Sequence, residues 1–131
     1  MMLTRRTLFV AVALAILPIA ALALSPGNKP YNQAQFDAAQ AAGRPILIDV
    51  TAPWCSVCKA QAPILARLKS DPKFKDMVAF EIDFDSQKDV LRKLNVRSQS
   101  TLIVFKGKTE VGRSTGDTNP ASIAALLGKA V

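Results

Sequence analysis

Cys55 and Cys58 are the residues whose type and spacing most directly suggest chemistry. They are the only two cysteines in the chain, and Ser56 and Val57 separate them. An apolar, strand-like segment precedes the pair, and a helix-like segment, Lys59 to Lys69, follows it. Two thiols at a strand-to-helix turn can cycle between dithiol and disulfide without large movement.

The start of a helix favours a thiolate at Cys55. The first four backbone N–H groups of a helix lack partners within it and form the positive end of its dipole. We therefore expect the pKa of the Cys55 thiol to fall below the free value of about 8.5. Cys58 lies one turn further along the same face, so it can attack a mixed disulfide formed at Cys55. This interpretation requires that Cys55 is not deeply occluded and that its thiol is more acidic than an ordinary one.

Other roles of a cysteine pair fit the sequence less well. A structural disulfide across two residues closes a very short loop and restricts the unfolded chain little. A structural zinc site needs four Cys or His ligands, and this chain has two cysteines and no histidine. Haem attachment needs a histidine directly after the second cysteine, where Lys59 stands. We therefore expect no metal and no cofactor within one chain.

Asp49 and Trp54 are candidates to assist the dithiol. Asp49 interrupts Pro45–Thr51, whose apolar residues are typical of a central strand buried on both faces. Burial raises the pKa of a carboxyl group, so Asp49 could accept the proton of Cys58 as a general base, directly or through water. The alternative is an Asp that caps a turn at the end of the strand. Trp54 would shield the sulfurs and offer a flat apolar surface to a partner.

The amino-terminal sequence predicts export. Two arginines precede a nearly unbroken apolar run, which ends in the small-x-small cleavage pattern Ala21-Leu22-Ala23. The arginine pair also fits a twin-arginine signal, and an uncleaved membrane anchor through residues 8–24 is an open alternative. We therefore predict a periplasmic protein with three segments: a signal peptide at 1–23, a linker at 24–31 and a folded domain at 32–131.

The charge of the chain does not indicate a nucleic-acid-binding protein. There are 17 Lys and Arg against 10 Asp and Glu, a formal net charge of +7. The basic residues are spread along the sequence, with no dense block of bases and aromatics. A solvated charged surface explains this distribution, although a weak preference for acidic partners or an anionic membrane stays open.

Periodicity and turn residues predict the element order α, β, α, β, α, β, β, α. The β–α–β crossovers imply parallel pairing, and the last two strands read as a hairpin. The predicted helices cover residues 32–42, 59–69, 85–94 and 120 onwards, and the predicted strands cover 45–51, 78–83, 101–105 and 110–115.

This order, together with Trp54-Cys55-Ser56-Val57-Cys58-Lys59, resembles the thioredoxin family from Gln33 to Val131. The resemblance implies an α/β thioredoxin-like fold with a mixed four-stranded sheet flanked by helices. It places Asp49 at the buried acid of the family, Cys55 at the nucleophile and Cys58 at the resolving cysteine. It also implies a monomeric protein thiol-disulfide oxidoreductase, with a lean towards reductase, that acts on protein substrates carrying disulfides or thiols.

The sequence departs from the family pattern at three places. Ser100-Thr101 occupies the place of the family's cis-proline; a cis bond before a non-proline residue costs about 3–4 kcal/mol, so we expect a trans bond and an altered substrate groove. The dipeptide Ser56-Val57 does not fix the reduction potential. The strand at 78–83 has no lysine, so Asp49 is expected to lack its usual cationic neighbour.

Two other functions stay open at this point. One is a non-catalytic thioredoxin-fold module that binds a client or a metal, including one bridged between two chains, and the other is a dithiol oxidase or isomerase. A reductase in an oxidising compartment also needs a supply of electrons, since its dithiol would otherwise become a disulfide. We therefore expect a membrane electron donor if the protein is a reductase.

Overall fold

The structure, a computed structural model, describes residues 27–131, so the predicted signal peptide lies outside the described residues. Its elements in chain order are β1 (Asn28–Pro30), α1 (Gln33–Ala41), β2 (Pro45–Thr51), α2 (Ser56–Lys69), a 3-10 turn (Pro72–Phe74), β3 (Val78–Asp83), α3 (Lys88–Lys93), β4 (Thr101–Lys106), β5 (Thr109–Thr115) and α4 (Pro120–Gly128). Among these residues, no helix has both the length and the hydrophobicity needed to cross a membrane.

The strands form one mixed sheet in the order β1-β3-β2-β4-β5. Strands β1, β3 and β2 run parallel, whereas β4 is antiparallel to β2 and β5 is antiparallel to β4. The predicted mixed sheet with flanking helices is confirmed, but it has five strands rather than four.

The fifth strand lies in the segment predicted as a linker. Asn28–Pro30 pairs in parallel with β3, and Asn28 stands opposite Ala79. A three-residue segment that includes a proline has no strand periodicity of its own. This edge strand therefore forms because it pairs with β3, not because its sequence favours a strand. The folded domain therefore includes residues that composition assigned to the linker.

Side-chain alternation along the strands gives the sheet two buried faces. We call them the α1/α3 face and the α2/α4 face, after the helices that cover them. The α1/α3 face includes Phe36, Ile46, Ile48, Phe80 and Phe105. The α2/α4 face includes Leu47, Leu65, Leu102, Ile123 and Leu127.

Local hydrogen bonds explain where two of the helices begin. Helix α4 begins as predicted, because Asn119 Oδ1 accepts from the backbone N–H groups of Ala121 and Ser122. Helix α3 begins later than predicted, at Lys88, and has no side-chain cap. Ser86, which lies within the predicted helix range, instead precedes the helix and donates its hydroxyl to Asp83 Oδ2 at 2.5 Å.

Candidate redox site

Cys55 and Cys58 form a disulfide at the start of α2. Cys55 is the N-cap residue of the helix, with an extended backbone (φ −82°, ψ 105°), and its Sγ accepts a hydrogen bond of 3.1 Å from the Cys58 N–H. The two Cα atoms are 5.3 Å apart. A thiolate at Cys55 would therefore receive the same backbone donor, as the sequence predicts.

The disulfide is almost completely covered. Cys55 is 3% exposed and Cys58 is 7% exposed, and both pack with Ala52. Val57 and Phe84 are partly buried against this cluster. The sequence interpretation requires an accessible Cys55, and the disulfide form does not meet this requirement. An attacking thiolate reaches the Cys55 sulfur only after neighbouring side chains shift.

Trp54 projects beside the disulfide as an exposed apolar surface. It is 58% exposed, which makes it the most exposed large apolar side chain of residues 27–131. Its Nε1–H donates to Asp85 Oδ2 at 2.9 Å. Asp85 follows β3 and was not predicted as a partner, because 31 positions separate the two residues. The bond fixes one edge of the indole and leaves its faces open to a partner.

Ser100 lies beside the dithiol in an uncommon backbone conformation. Its φ is 57°, and residues 27–131 contain no cis peptide bond. Its N–H donates to the Val50 carbonyl at 2.8 Å, and the Cys58 Sγ lies 3.9 Å from the same oxygen. Ser100 and Cys58 are therefore gathered around one carbonyl group of β2.

Thr101 supports the loop before β4. It is buried, and its hydroxyl donates to the Ser98 carbonyl at 2.8 Å and lies 3.0 Å from the Thr115 hydroxyl. These contacts occupy the hydroxyl within the fold. A role for Thr101 in substrate binding stays a prediction, and the structure gives it no direct support.

Gln61 is a site residue that sequence reasoning missed. It is buried one turn after Cys58, and its Nε2 donates to the carbonyls of Ser100 at 3.3 Å and Asp117 at 2.9 Å. Its Oε1 is buried without a hydrogen-bond partner among the described residues. The spacing from Cys58 through Gln61 to Leu65 follows one helix face and would have placed this amide inward.

Asp49 is buried on the α2/α4 face, as the sequence predicts. It is 5% exposed, and its Oδ2 accepts a 3.1 Å hydrogen bond from Asn28 Nδ2. Burial, reinforced by the nearby charge of Glu81, raises the pKa of Asp49 from 3.8 to about 6. The Asn28 hydrogen bond and the charge of Lys69 act in the opposite direction.

The prediction that Asp49 lacks a cationic neighbour was wrong. Lys69, in the last turn of α2, donates from Nζ to Asn28 Oδ1, and its charge acts on Asp49. The cation comes from the helix that covers the strand rather than from β3, and so a search of the β3 sequence could not find it. Asn28 was also missed, because its segment reads as a linker.

Comparisons with known proteins give a consistent picture. A sequence model of the family described as Thioredoxin matches residues 28–129. A thioredoxin of Aspergillus fumigatus is 37% identical over 82 residues, which cover 63% of this chain and 74% of the relative. Thioredoxin-2 of Saccharomyces cerevisiae is 34% identical over 97 residues, which cover 73% of this chain and 90% of the relative.

Solved structures show the same similarity. The crystal structure of Trxlp from Edwardsiella tarda EIB202 matches with a TM-score of 0.73 and 44% identity. The match covers 75% of this chain and 95% of that protein. The family match, residues 28–129, includes the strands and the helix that position the disulfide.

Proposed function

Because the chain belongs to the thioredoxin family, whose members are thiol-disulfide oxidoreductases, we propose that it is an exported reductase of protein disulfides. The observation that carries this proposal is the disulfide at the start of α2, where Cys55 caps the helix and accepts the Cys58 N–H. That geometry stabilises negative charge on the attacking sulfur.

One catalytic cycle of the reductase uses the sulfurs of Cys55 and Cys58 and the carboxylate of Asp49. The Cys55 thiolate attacks a substrate disulfide, forms a mixed disulfide and releases one substrate thiolate, which takes a proton from solvent. Cys58 then gives its proton to Asp49, and its thiolate attacks Cys55 Sγ. The Cys55–Cys58 disulfide forms, and the second substrate thiolate leaves and is protonated. The substrate gains two electrons and two protons, and a membrane dithiol donor restores the enzyme.

An insulin-reduction assay tests this activity. We expect the wild-type protein, reduced chemically, to precipitate insulin chains, whereas Cys55→Ser is inactive and Cys58→Ser accumulates a mixed disulfide at Cys55. Lys59→Ser is the matched control, because it changes the next residue of the same turn without touching either sulfur. Absence of turnover in the folded wild-type protein would overturn the proposal.

A redox titration against glutathione tests the direction. Family potentials extend from about −270 mV for reductants to about −120 mV for oxidants. We expect the Cys55–Cys58 pair to titrate near the reducing end. A potential above about −150 mV would instead assign the protein to the dithiol oxidases or isomerases.

A second candidate function is a binding module that turns over nothing. The near-complete burial of Cys55, at 3% exposure, favours it. Under this alternative, the protein would hold a client on the Trp54 surface and its disulfide would react slowly with every small thiol. The insulin assay distinguishes the two functions, because only the reductase requires Cys55 for turnover.

The proposal places the protein in the periplasm as a monomer. Its support is the sequence of residues 1–23, which has the pattern of a secretory signal. Fractionation of cells that express the full chain should give a shortened periplasmic form. A variant with Arg5→Lys and Arg6→Lys should accumulate as precursor if the twin-arginine route is used. Full-length protein confined to the cytosol would contradict export.

A further inference from the structure

A polar cluster, of which Asn28 and Asp49 are buried and Glu81 and Lys69 are partly buried, joins four elements of the fold. Its members are Asn28 of β1, Asp49 of β2, Glu81 of β3 and Lys69 of α2. Asp49 and Glu81 are register partners on neighbouring parallel strands, so their side chains point to the same face. Two neighbouring carboxylates repel each other, and a bridge between them must therefore donate to both.

Asn28 has the chemistry of that bridge. Its Nδ2 donates to Asp49 Oδ2 at 3.1 Å and to Glu81 Oε2 at 3.2 Å, and its Oδ1 accepts from Lys69. An ammonium only donates and an ionised carboxylate only accepts, so this is the one amide orientation that satisfies all three neighbours. Aspartate here would add a third acid, and an apolar residue would leave the bonds unmade.

We propose that Asn28, Lys69 and Glu81 are positioning residues for the Asp49 carboxylate, and that edge strand β1 is thereby part of the redox site. This inference rests on the proposed function, in which Asp49 takes the proton of Cys58. It extends that function to a strand that precedes the dithiol by more than twenty residues and contacts neither sulfur among the contacts described.

The groups around Asp49 shift its pKa in opposite directions, and this makes the proposal testable. The Asn28 hydrogen bond and the Lys69 charge lower the pKa of Asp49, whereas Glu81 raises it. On the remaining side, β4 places the apolar Leu102 opposite Asp49. Removing the Asn28 hydrogen bond or the Lys69 charge should therefore raise the pKa of Asp49, and removing the Glu81 charge should lower it.

The test is a carbon-13 NMR titration of the Asp49 carboxyl group in the disulfide form. We expect the midpoint to rise by about one pH unit in Lys69→Met and in Asn28→Leu, and to fall in Glu81→Gln. Lys69→Arg keeps the charge and should restore a midpoint near that of the wild type. A purely structural role for these residues would not produce this pattern of raised, restored and lowered Asp49 midpoints.

A second measurement connects the cluster to the chemistry. The rate at which Cys58 closes a mixed disulfide between Cys55 and a thionitrobenzoate leaving group is followed against pH. The midpoints of these rate profiles should shift in the same order as the NMR midpoints. Unchanged rate profiles with shifted NMR midpoints would overturn the role in the redox site.

The outcomes remain decisive if one variant does not fold. If Asn28→Leu is unfolded, Lys69→Met and Glu81→Gln must still move the Asp49 midpoint in opposite directions, and any other result overturns the proposal. The NMR titration needs no turnover. A protein that fails to reduce insulin but shows the predicted order would overturn the reductase proposal and leave the positioning of Asp49 intact.

Discussion

The two faces of the central sheet bury different kinds of side chain. On the α1/α3 face, Phe36 forms edge-on contacts with Phe80 and Phe105 at ring-centroid distances of 6.1 and 5.3 Å, within an apolar cluster. The α2/α4 face has its own apolar cluster, but it also buries Asn28, Asp49 and, from the helix, Gln61. One sheet thus has a face that supports the fold and a face that also buries polar residues of the candidate redox site.

The difference between the two faces indicates where the requirements of stability and function conflict. Burial of aromatic side chains stabilises the fold, because the gain from apolar burial exceeds the loss of side-chain entropy. Burial of a carboxyl group costs free energy when it ionises, and proteins keep such groups where function needs them. Substitutions on the two faces should therefore have opposite effects on stability and separate effects on redox chemistry.

The largest expected effect is a loss of stability on the α1/α3 face. Phe36→Ala should reduce the free energy of unfolding by about 3–5 kcal/mol, because it removes a ring from a packed aromatic cluster. The reduction potential of the folded protein should not change. Denaturant unfolding and a glutathione titration measure the two quantities, and an altered potential would break the proposed division between the faces.

The next effect is a gain of stability on the α2/α4 face. Folding raises the pKa of Asp49 from 3.8 to about 6, so the folded state favours the neutral acid. The stability this provides is present below about pH 4 and is lost as pH rises through about 6. Asp49→Asn stays neutral, and so it should be more stable than the wild type by about 3 kcal/mol at pH 8.

Unfolding curves at pH 4 and pH 8 measure this gain. At pH 4 the difference should shrink to less than about 1 kcal/mol, since Asp49 is protonated in the folded state and only partly ionised in the unfolded state. The variant should also close mixed disulfides more slowly at neutral pH, because Asn cannot accept the Cys58 proton. Equal stability at pH 8 would show that the carboxyl group is not held in an unfavourable environment.

A smaller effect is expected where α2 meets the loop before β4. Gln61→Leu removes the hydrogen bonds to the carbonyls of Ser100 and Asp117, each worth about 1 kcal/mol. The loop should open more often, so the amide of Ser100 should exchange its hydrogen roughly tenfold faster. Leu65→Met, one turn further along the same face, is the matched control. Unchanged exchange in Gln61→Leu would show that other contacts hold the loop.

The smallest effect on stability is expected at the surface. Trp54→Phe keeps an aromatic ring but removes the hydrogen bond to Asp85, and the stability should change by less than about 1 kcal/mol. The KM for insulin should rise, because the ring is no longer fixed beside the disulfide. Asp85→Asn preserves an acceptor oxygen and should raise KM less, and equal KM values in all three proteins would exclude a role for this bond in substrate binding.

Local sequence patterns predict much of the fold and the disulfide. The apolar run 45–51, the Asn119-Pro120 helix start and the Cys55 helix start are set by neighbours in sequence, so they could be read directly. The crossover rule and the final hairpin predicted a mixed sheet with helices on both faces, and the family resemblance agreed with it. Asp49 could be predicted as a buried acid because one charge interrupts an apolar strand.

The missed residues depend on contacts between distant segments. Asn28 belongs to a strand only because β3 pairs with it, and Lys69 faces Asp49 only because α2 crosses β2. Gln61 contacts Ser100 and Asp117 across 39 and 56 positions. No local pattern encodes such contacts.

The left-handed backbone of Ser100 makes this position incompatible with proline. Proline fixes φ near −65° and has no N–H, whereas Ser100 has φ 57° and donates to Val50. Proline at position 100 would lose that hydrogen bond and would require the opposite sign of φ, so the loop would have to adopt another path. Glycine, which tolerates both signs of φ, could adopt this backbone and keep the N–H that Val50 accepts.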